Sequence, residues 1–286
     1  MHPKPLLCLL AVSLWGSLSA YRAAGSISTL PGGVPEDDDK AATQQLSLPQ
    51  PDEIPLPCQP DTHLPILAEA GLHVIPAHRP QTLYGIDVSH YQGKINWSAV
   101  PLDPNARFVY IKATESAGIV DEYYRKNLYE ARKAGIPAGV YHFFSPSASA
   151  MMQLKNFFEN VDPRQQDLVP IIDVERRGRG SSLDFHGKLS AVLRETEKYF
   201  GAKPIIYTGV NFYNEHLAGR YAGYKFMIAR YGDEPPTLSD EVSVVLWQFT
   251  SSGYISGIQG KVDRSCFLGN YSLTDIMMPK TLRTDN

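Results

Sequence analysis

A chain of 286 residues has room for one large α/β or all-β unit, or for about two smaller domains. Its 43% hydrophobic and 20% charged residues allow a core, and 22 Pro with 22 Gly exclude a collagen-like chain. A net charge of -3 lacks the basic excess of a dedicated nucleic-acid binder, and 3 Cys are too few for a disulfide scaffold or a four-thiolate zinc site.

The chain opens like an export signal. Met1–Pro5 carry a His and a Lys, Leu6–Trp15 form an apolar run too short to span a bilayer, and small residues follow at Gly16, Ser17, Ser19 and Ala20. Ser17 and Ser19 meet the small-x-small rule, so residues 1–20 read as the signal segment, with cleavage expected after Ser19 and Ala20 the second choice. A retained anchor is the alternative. Export implies a secreted or periplasmic protein with no stable membrane anchor after cleavage. It also leaves Cys58 and Cys266 in an oxidising compartment, where they could pair or stand as one buried and one exposed thiol.

Residues 21–80 are dominated by Ser, Gly, Asp, Gln and Pro, with an acidic run at Glu36–Asp39. Proline at this density breaks helices and is excluded from central strands, so the segment reads as an irregular, flexible N-terminal extension. Its His63, His73 and His78 fit no one-face helical spacing and are read as tether residues rather than a metal site.

From 81 to 275 short apolar runs alternate with helical stretches. Strands are predicted at Leu83–Ser89, Phe108–Glu115, Ala138–Phe144, Leu168–Glu175, Pro204–Thr208, Lys225–Tyr231, Val242–Thr250 and Gly260–Phe267. Several are apolar almost throughout, as strands covered on both faces must be. One helix is predicted from Asp121 to Gly135, burying Tyr124, Leu128 and Ala131; a second opens at Ser147, and a third runs from Ser182 to Gly201. Helices crowd the first five crossovers and the last strands follow closely. This predicts a modified TIM-like (β/α)5(β)3 barrel over 81–275, with 276–286 as a C-terminal tail.

In a parallel barrel the strand C-termini share one rim, and that rim carries the chemistry. Acids stand at or near it at Asp87, Glu115, Asp173 with Glu175, Asp233 and Asp263. Asp173 and Glu175 are separated by one Val, so alternation along a strand sends both carboxyls to the same side. Two charged acids so placed repel, which raises the proton affinity of at least one. A protonated acid beside an ionised neighbour is what cleavage of a glycosidic bond requires. Solvated acids that merely end strands are the plain alternative, against which the convergence of Asp87 and Asp263 argues. Tyr91, Tyr141, Tyr207, Tyr231 and Trp247 are candidate sugar platforms; Phe143 is read as barrel core and His142 as a structural histidine. Arg176-Arg177-Gly178-Arg179 could meet carboxylates on a substrate or form a solvated loop.

Tyr84-Gly85-Ile86-Asp87-Val88-Ser89-His90-Tyr91-Gln92-Gly93 with Ile95-Asn96-Trp97 resembles the opening of the glycoside hydrolase family 25 muramidases, the Chalaropsis-type lysozymes. Phe108–Glu115, Ala138–Phe143, Asp173-Val174-Glu175, Ile228–Tyr231, Leu246–Thr250 and Gly260–Asp263 continue the resemblance in order, up to about Tyr271. It implies hydrolysis of the β-1,4 bond between N-acetylmuramic acid and N-acetylglucosamine in peptidoglycan. Glu175 takes the place of the general acid, Asp173 that of its partner, and Asp87 and Asp263 those of two further rim acids. Arg230 falls in a matching motif and joins the expected substrate contacts. Inversion, retention and participation of the substrate's N-acetyl group stay open. Ser116 stands where the family commonly has Gly, and Ser265 where it usually has Asn.

The expected protein is therefore an exported monomeric muramidase that needs no cofactor or metal and acts on peptidoglycan strands. A catalytically silent carbohydrate-binding module on the same fold is the alternative. A serine hydrolase lacks its Gly-x-Ser-x-Gly elbow, and nucleotide hydrolysis lacks its phosphate loop.

Overall fold

A computed structural model describes residues 83–279. The expected signal segment, the Pro-rich extension with Cys58 and its three histidines, and residues 280–286 lie outside the described residues. Nine strands form one sheet: β1 (Tyr84–Val88), β2 (Phe108–Glu115), β3 (Ile119–Val120), β4 (Ala138–Phe143), β5 (Ile171–Asp173), β6 (Ile205–Gly209), β7 (Lys225–Ala229), β8 (Ser243–Gly253) and β9 (Val262–Phe267). β1 pairs with both β2 and β9, which closes the sheet into an eight-stranded barrel, with β3 a short hairpin strand on the end of β2.

Seven barrel strands, from β1 round to β8, pair in parallel, and β9 is antiparallel to both of its neighbours. The apolar runs make this possible. In β2 every residue from Phe108 to Thr114 is buried, because the barrel interior takes one face and helices or loops take the other. Three full helices lie on the outside: α1 (Tyr124–Lys133), α2 (Ala150–Asn160) and α3 (Ser182–Phe200). The β1–β2 connection holds only two 3₁₀ turns, and the β6–β7 connection a short helical piece ending in a π turn.

The expected helix ends are met in part. Gly135 (φ 79°) follows α1 and Gly201 (φ 64°) closes α3 in the left-handed region that glycine enters at no steric cost. Ser181, one residue before the expected Ser182, caps α3 by accepting the Asp184 N–H at 3.1 Å. Ser147 does not open α2, because its hydroxyl turns to Ser145 and Ser149 takes the N-cap position. Residues at the start of the expected tail also belong to the body. Ile276 and Met278 are buried, and the Val169 N–H donates to the Ile276 carbonyl at 2.8 Å below β5.

One close approach controls the barrel seam. Phe108 lies against the backbone of β1, its ring also in contact with Tyr110 and Phe267 at centroid distances of 6.4 and 5.3 Å. A Cβ on Gly85 would fall 2.1 Å from that ring, and the ring is held by its other neighbours. Gly85→Ala is expected to destabilise the fold by about 1–3 kcal/mol through overpacking, read as a lower denaturant midpoint in urea titration.

Candidate active site

The barrel geometry explains how residues remote in sequence meet. Asp87 is the last residue but one of β1 and Asp173 ends β5, so both stand at the C-terminal rim. Asp263 sits at the start of β9, not at its end, yet reaches the same rim because β9 runs antiparallel; it lies directly opposite Asp87 in the register. Glu175 lies two residues beyond β5 at the mouth. All four line one cleft, together with Tyr91, Tyr141, Phe143, Lys112, Tyr207 and Gln248.

Side chains alternate along each strand, and this sorts the site from its supports. On β4, Tyr141 and Phe143 face the cleft, while His142 faces outward, fully buried, with Nδ1 2.7 Å from the Thr114 hydroxyl and Nε2 3.4 Å from Gln153 Oε1. Burial pushes the His142 imidazole down to about 4, so it stays neutral, a structural histidine. Phe143 is a cleft wall rather than the core residue expected. On β8 the role expected of Trp247 falls to its neighbour. Trp247 is fully buried against Phe249 and Cys266 and donates its indole N–H to the Arg230 carbonyl at 2.7 Å, so it is not a sugar platform. Gln248, next to it, is the cleft residue: its Nε2 donates to Asp87 Oδ2 at 3.0 Å, and its Oε1 accepts from the Tyr207 hydroxyl at 2.9 Å and the Tyr231 hydroxyl at 3.3 Å.

Of the other expected contacts, Tyr91 lines the cleft and is 80% exposed, open for stacking. Tyr231 is half exposed and touches the site through Gln248. Arg230 is not a cleft residue; its guanidinium donates to the Glu234 carbonyl, so it braces the loop after β7. Glu115 is paired with Lys112 Nζ at 2.6 Å, and Asp233 is exposed outside the cleft. Cys266 is buried and engaged in a disulfide, while its expected partner Cys58 lies outside the described residues. Ser116 adopts φ 52°, in the left-handed region that favours glycine.

Lys112 and Gln248 are the site residues that sequence reasoning missed. Lys112 is only 8% exposed, and a cation within the apolar run Phe108–Ala113 is the signal that could have found it. Its ammonium sits 5.3 Å from the Phe143 ring centroid as well as on Glu115.

Burial sets the electrostatics. Asp87 is lifted from 3.8 to about 8, first by desolvation and then by repulsion from Asp263, partly offset by the Gln248 hydrogen bond. Desolvation and then Glu175 lift Asp263 to about 6. Asp173 is held well above the carboxylate range by burial and next by repulsion from Glu175, which falls on Asp173 as the deeper of the two. Burial also raises Glu175, against the opposing pull of Arg176 and Lys112. Asp173 Oδ1 is buried with no hydrogen-bond partner, an acceptor left over for something that enters the cleft.

A raised carboxyl makes the fold more stable below its unfolded pKa, and that contribution is lost as pH climbs through the folded value. Between pH 4 and 8 the unfolded chain ionises Asp87 while the folded protein holds its proton, so the folded state loses relative stability, a penalty that Asn does not carry. Asp87→Asn is therefore expected to be more stable than the parent at pH 8 by on the order of a few kcal/mol, with the gap closing towards pH 4. Chemical unfolding at several pH values checks this, and a pH-independent gap would count against it.

The Glycosyl hydrolases family 25 model matches residues 86–258. The uncharacterized protein YegX of Escherichia coli K12 is 40% identical over 192 residues, covering 66% of this chain and 70% of the relative. Lysozyme M1 of Streptomyces globisporus is 32% identical over 207 residues, 65% of this chain and 68% of the relative. The solved structure of a family 25 glycosyl hydrolase from Bacillus anthracis superposes with a TM-score of 0.62 at 32% identity, covering 70% of this chain and 96% of that one. The family match spans the strands that deliver Asp87, Asp173 and Glu175 to one cleft, and the chain is a glycoside hydrolase of family 25.

Proposed function

We propose that the chain is a muramidase that cleaves the β-1,4 bond between N-acetylmuramic acid and N-acetylglucosamine in peptidoglycan. The observation that carries this is the cleft itself, where four acids with raised proton affinity face a set of tyrosines. Family membership and the likeness to a relative named lysozyme support the same reaction.

Glu175, at the mouth, protonates the glycosidic oxygen as the bond breaks. Binding of a sugar ring displaces water around Glu175 and raises its proton affinity further. Asp173, deeper and with a free acceptor oxygen, holds the substrate's N-acetyl group or faces the positive charge that develops at the anomeric carbon. Asp87 and Asp263 bind substrate and tune Glu175. Tyr91 and Tyr141 stack on sugar faces, while Tyr207 and Tyr231 are aligned by Gln248.

The proposal extends to an exported, monomeric enzyme of cell-wall catabolism, released by cleavage after Ser19 or Ala20, with a Cys58–Cys266 disulfide. The signal-like opening supports export, and the bonded state of Cys266 supports the disulfide. Digestion of purified peptidoglycan with mass analysis of the fragments tests the reaction. New reducing ends should be muramic acid; glucosamine ends, or no release, would contradict it. A silent binding module is disfavoured because all four acids are present.

A further inference from the structure

The reaction described above leaves the arginine-rich turn after Glu175 without a role. Arg176 follows the acid directly, and its guanidinium carbon stands 5.3 Å from the centroid of Phe143, a wall of the cleft. Gly178 (φ 71°) lets the turn pack tightly, since a Cβ there would lie 2.9 Å from Pro146 Cγ in the β4–α2 connection. The turn is thus anchored to the rim. Beside it, burial and then Arg220, His216 and Arg177 press the His186 imidazole pKa down, which places these groups in one basic neighbourhood.

The acid nearest the turn is already engaged: Asp184, beside Gly180, meets Lys188 at 2.9 Å. Among the described residues, none of Arg176, Arg177, Arg179 or Arg220 forms an ion pair. An acidic cleft therefore adjoins a basic shelf with unspent guanidinium groups. We infer that this shelf, led by Arg177 and Arg179, is a subsite for carboxylates carried on the substituent at the muramyl C3 oxygen.

The chemistry selects the ligand. A neutral polymer of N-acetylglucosamine offers guanidinium groups no carboxylate to pair with. Muramic acid carries a lactyl ether there, with its carboxyl either free or joined to a peptide that bears carboxylates of its own. Guanidinium groups grip carboxylates through paired N–H donors, while the acids of the cleft repel them. The two surfaces together fix which way the sugar chain lies across Glu175. The shelf thus deepens the muramidase reading and rests on it.

The test is binding in a Glu175→Gln background, which preserves the ligand, comparing that parent with a form also carrying Arg177→Gln and Arg179→Gln. Arg179 is exposed and Arg177 partly so, and neither is among the residues that line the cleft with the four acids. Calorimetry uses three probes: peptide-bearing glycan oligomers, the same oligomers after amidase treatment, and chitin oligomers. The double substitution is expected to weaken binding about tenfold to a carboxylate-bearing glycan and to leave chitin binding unaltered, with the loss shrinking at high salt. A loss confined to peptide-bearing glycan assigns the stem-peptide carboxylates, and a loss that survives amidase treatment assigns the lactyl group. Equal binding by both proteins to all probes, or an equal loss on chitin, would overturn the subsite. Carboxylate-dependent binding with no reducing ends released by the Glu175 form would instead sink the muramidase reading and keep the subsite.

Discussion

Replacing Glu175 by Gln is expected to lower turnover on peptidoglycan about 10³-fold while leaving the protein folded. Gln keeps the shape and the hydrogen-bonding ends of the side chain but has no proton to give, and proton donation is worth about 10²–10⁴ in rate. Glu175 lies at the cleft mouth beyond β5 and is exposed, so the fold loses little, within about 0.5 kcal/mol. Reducing-end assays at matched concentration, with circular dichroism as the folding control, give the answer. A variant with near-parental turnover would remove Glu175 from the proposed role.

Asp173→Asn is expected to cost about 10²-fold or more in kcat with a much smaller change in KM, because the lost contact is made chiefly as positive charge develops. Its stability should hold or rise. Burial and the nearby Glu175 make ionisation of this carboxyl costly to the fold, and Asn removes that cost together with the charge. The split between kcat and KM distinguishes this from a merely structural role. An unchanged kcat with a fallen melting temperature would show that Asp173 only props up the end of β5.

Strands covered on both faces announce themselves as continuous apolar runs, so β2 (Phe108–Glu115) is legible to the residue. β5 is not. Its apolar run predicts Leu168–Glu175, but only Ile171–Asp173 pair as a strand, because the backbone leaves the sheet just past Asp173. That places Asp173 deep and Glu175 at the mouth, a division of depth that spacing alone does not contain.

The acids were findable because charged side chains at the ends of apolar runs have little structural reason to be there. Direction was harder. Asp263 looked like a residue of the last strand's C-terminal rim, yet it reaches that rim from the strand's other end because β9 reverses. Trp247 and Gln248 show the limit most clearly. The aromatic residue attracts notice as a sugar platform, but on β8 it faces away from the cleft, and the plain amide beside it links Asp87, Tyr207 and Tyr231. Facing in a barrel is fixed by register with both neighbouring strands, which a single run of residues does not reveal.

The central claim is that the fold gathers four carboxyls where they hold protons to unusually high pH. Carbon-13 NMR titration of labelled aspartate and glutamate carboxyls, assigned by single substitutions, measures it directly. The account predicts Asp87 titrating near 8, Asp263 near 6, and Asp173 and Glu175 displaced upward from the ordinary carboxylate range. Four carboxyls titrating together near the ordinary value of about 4 would contradict it.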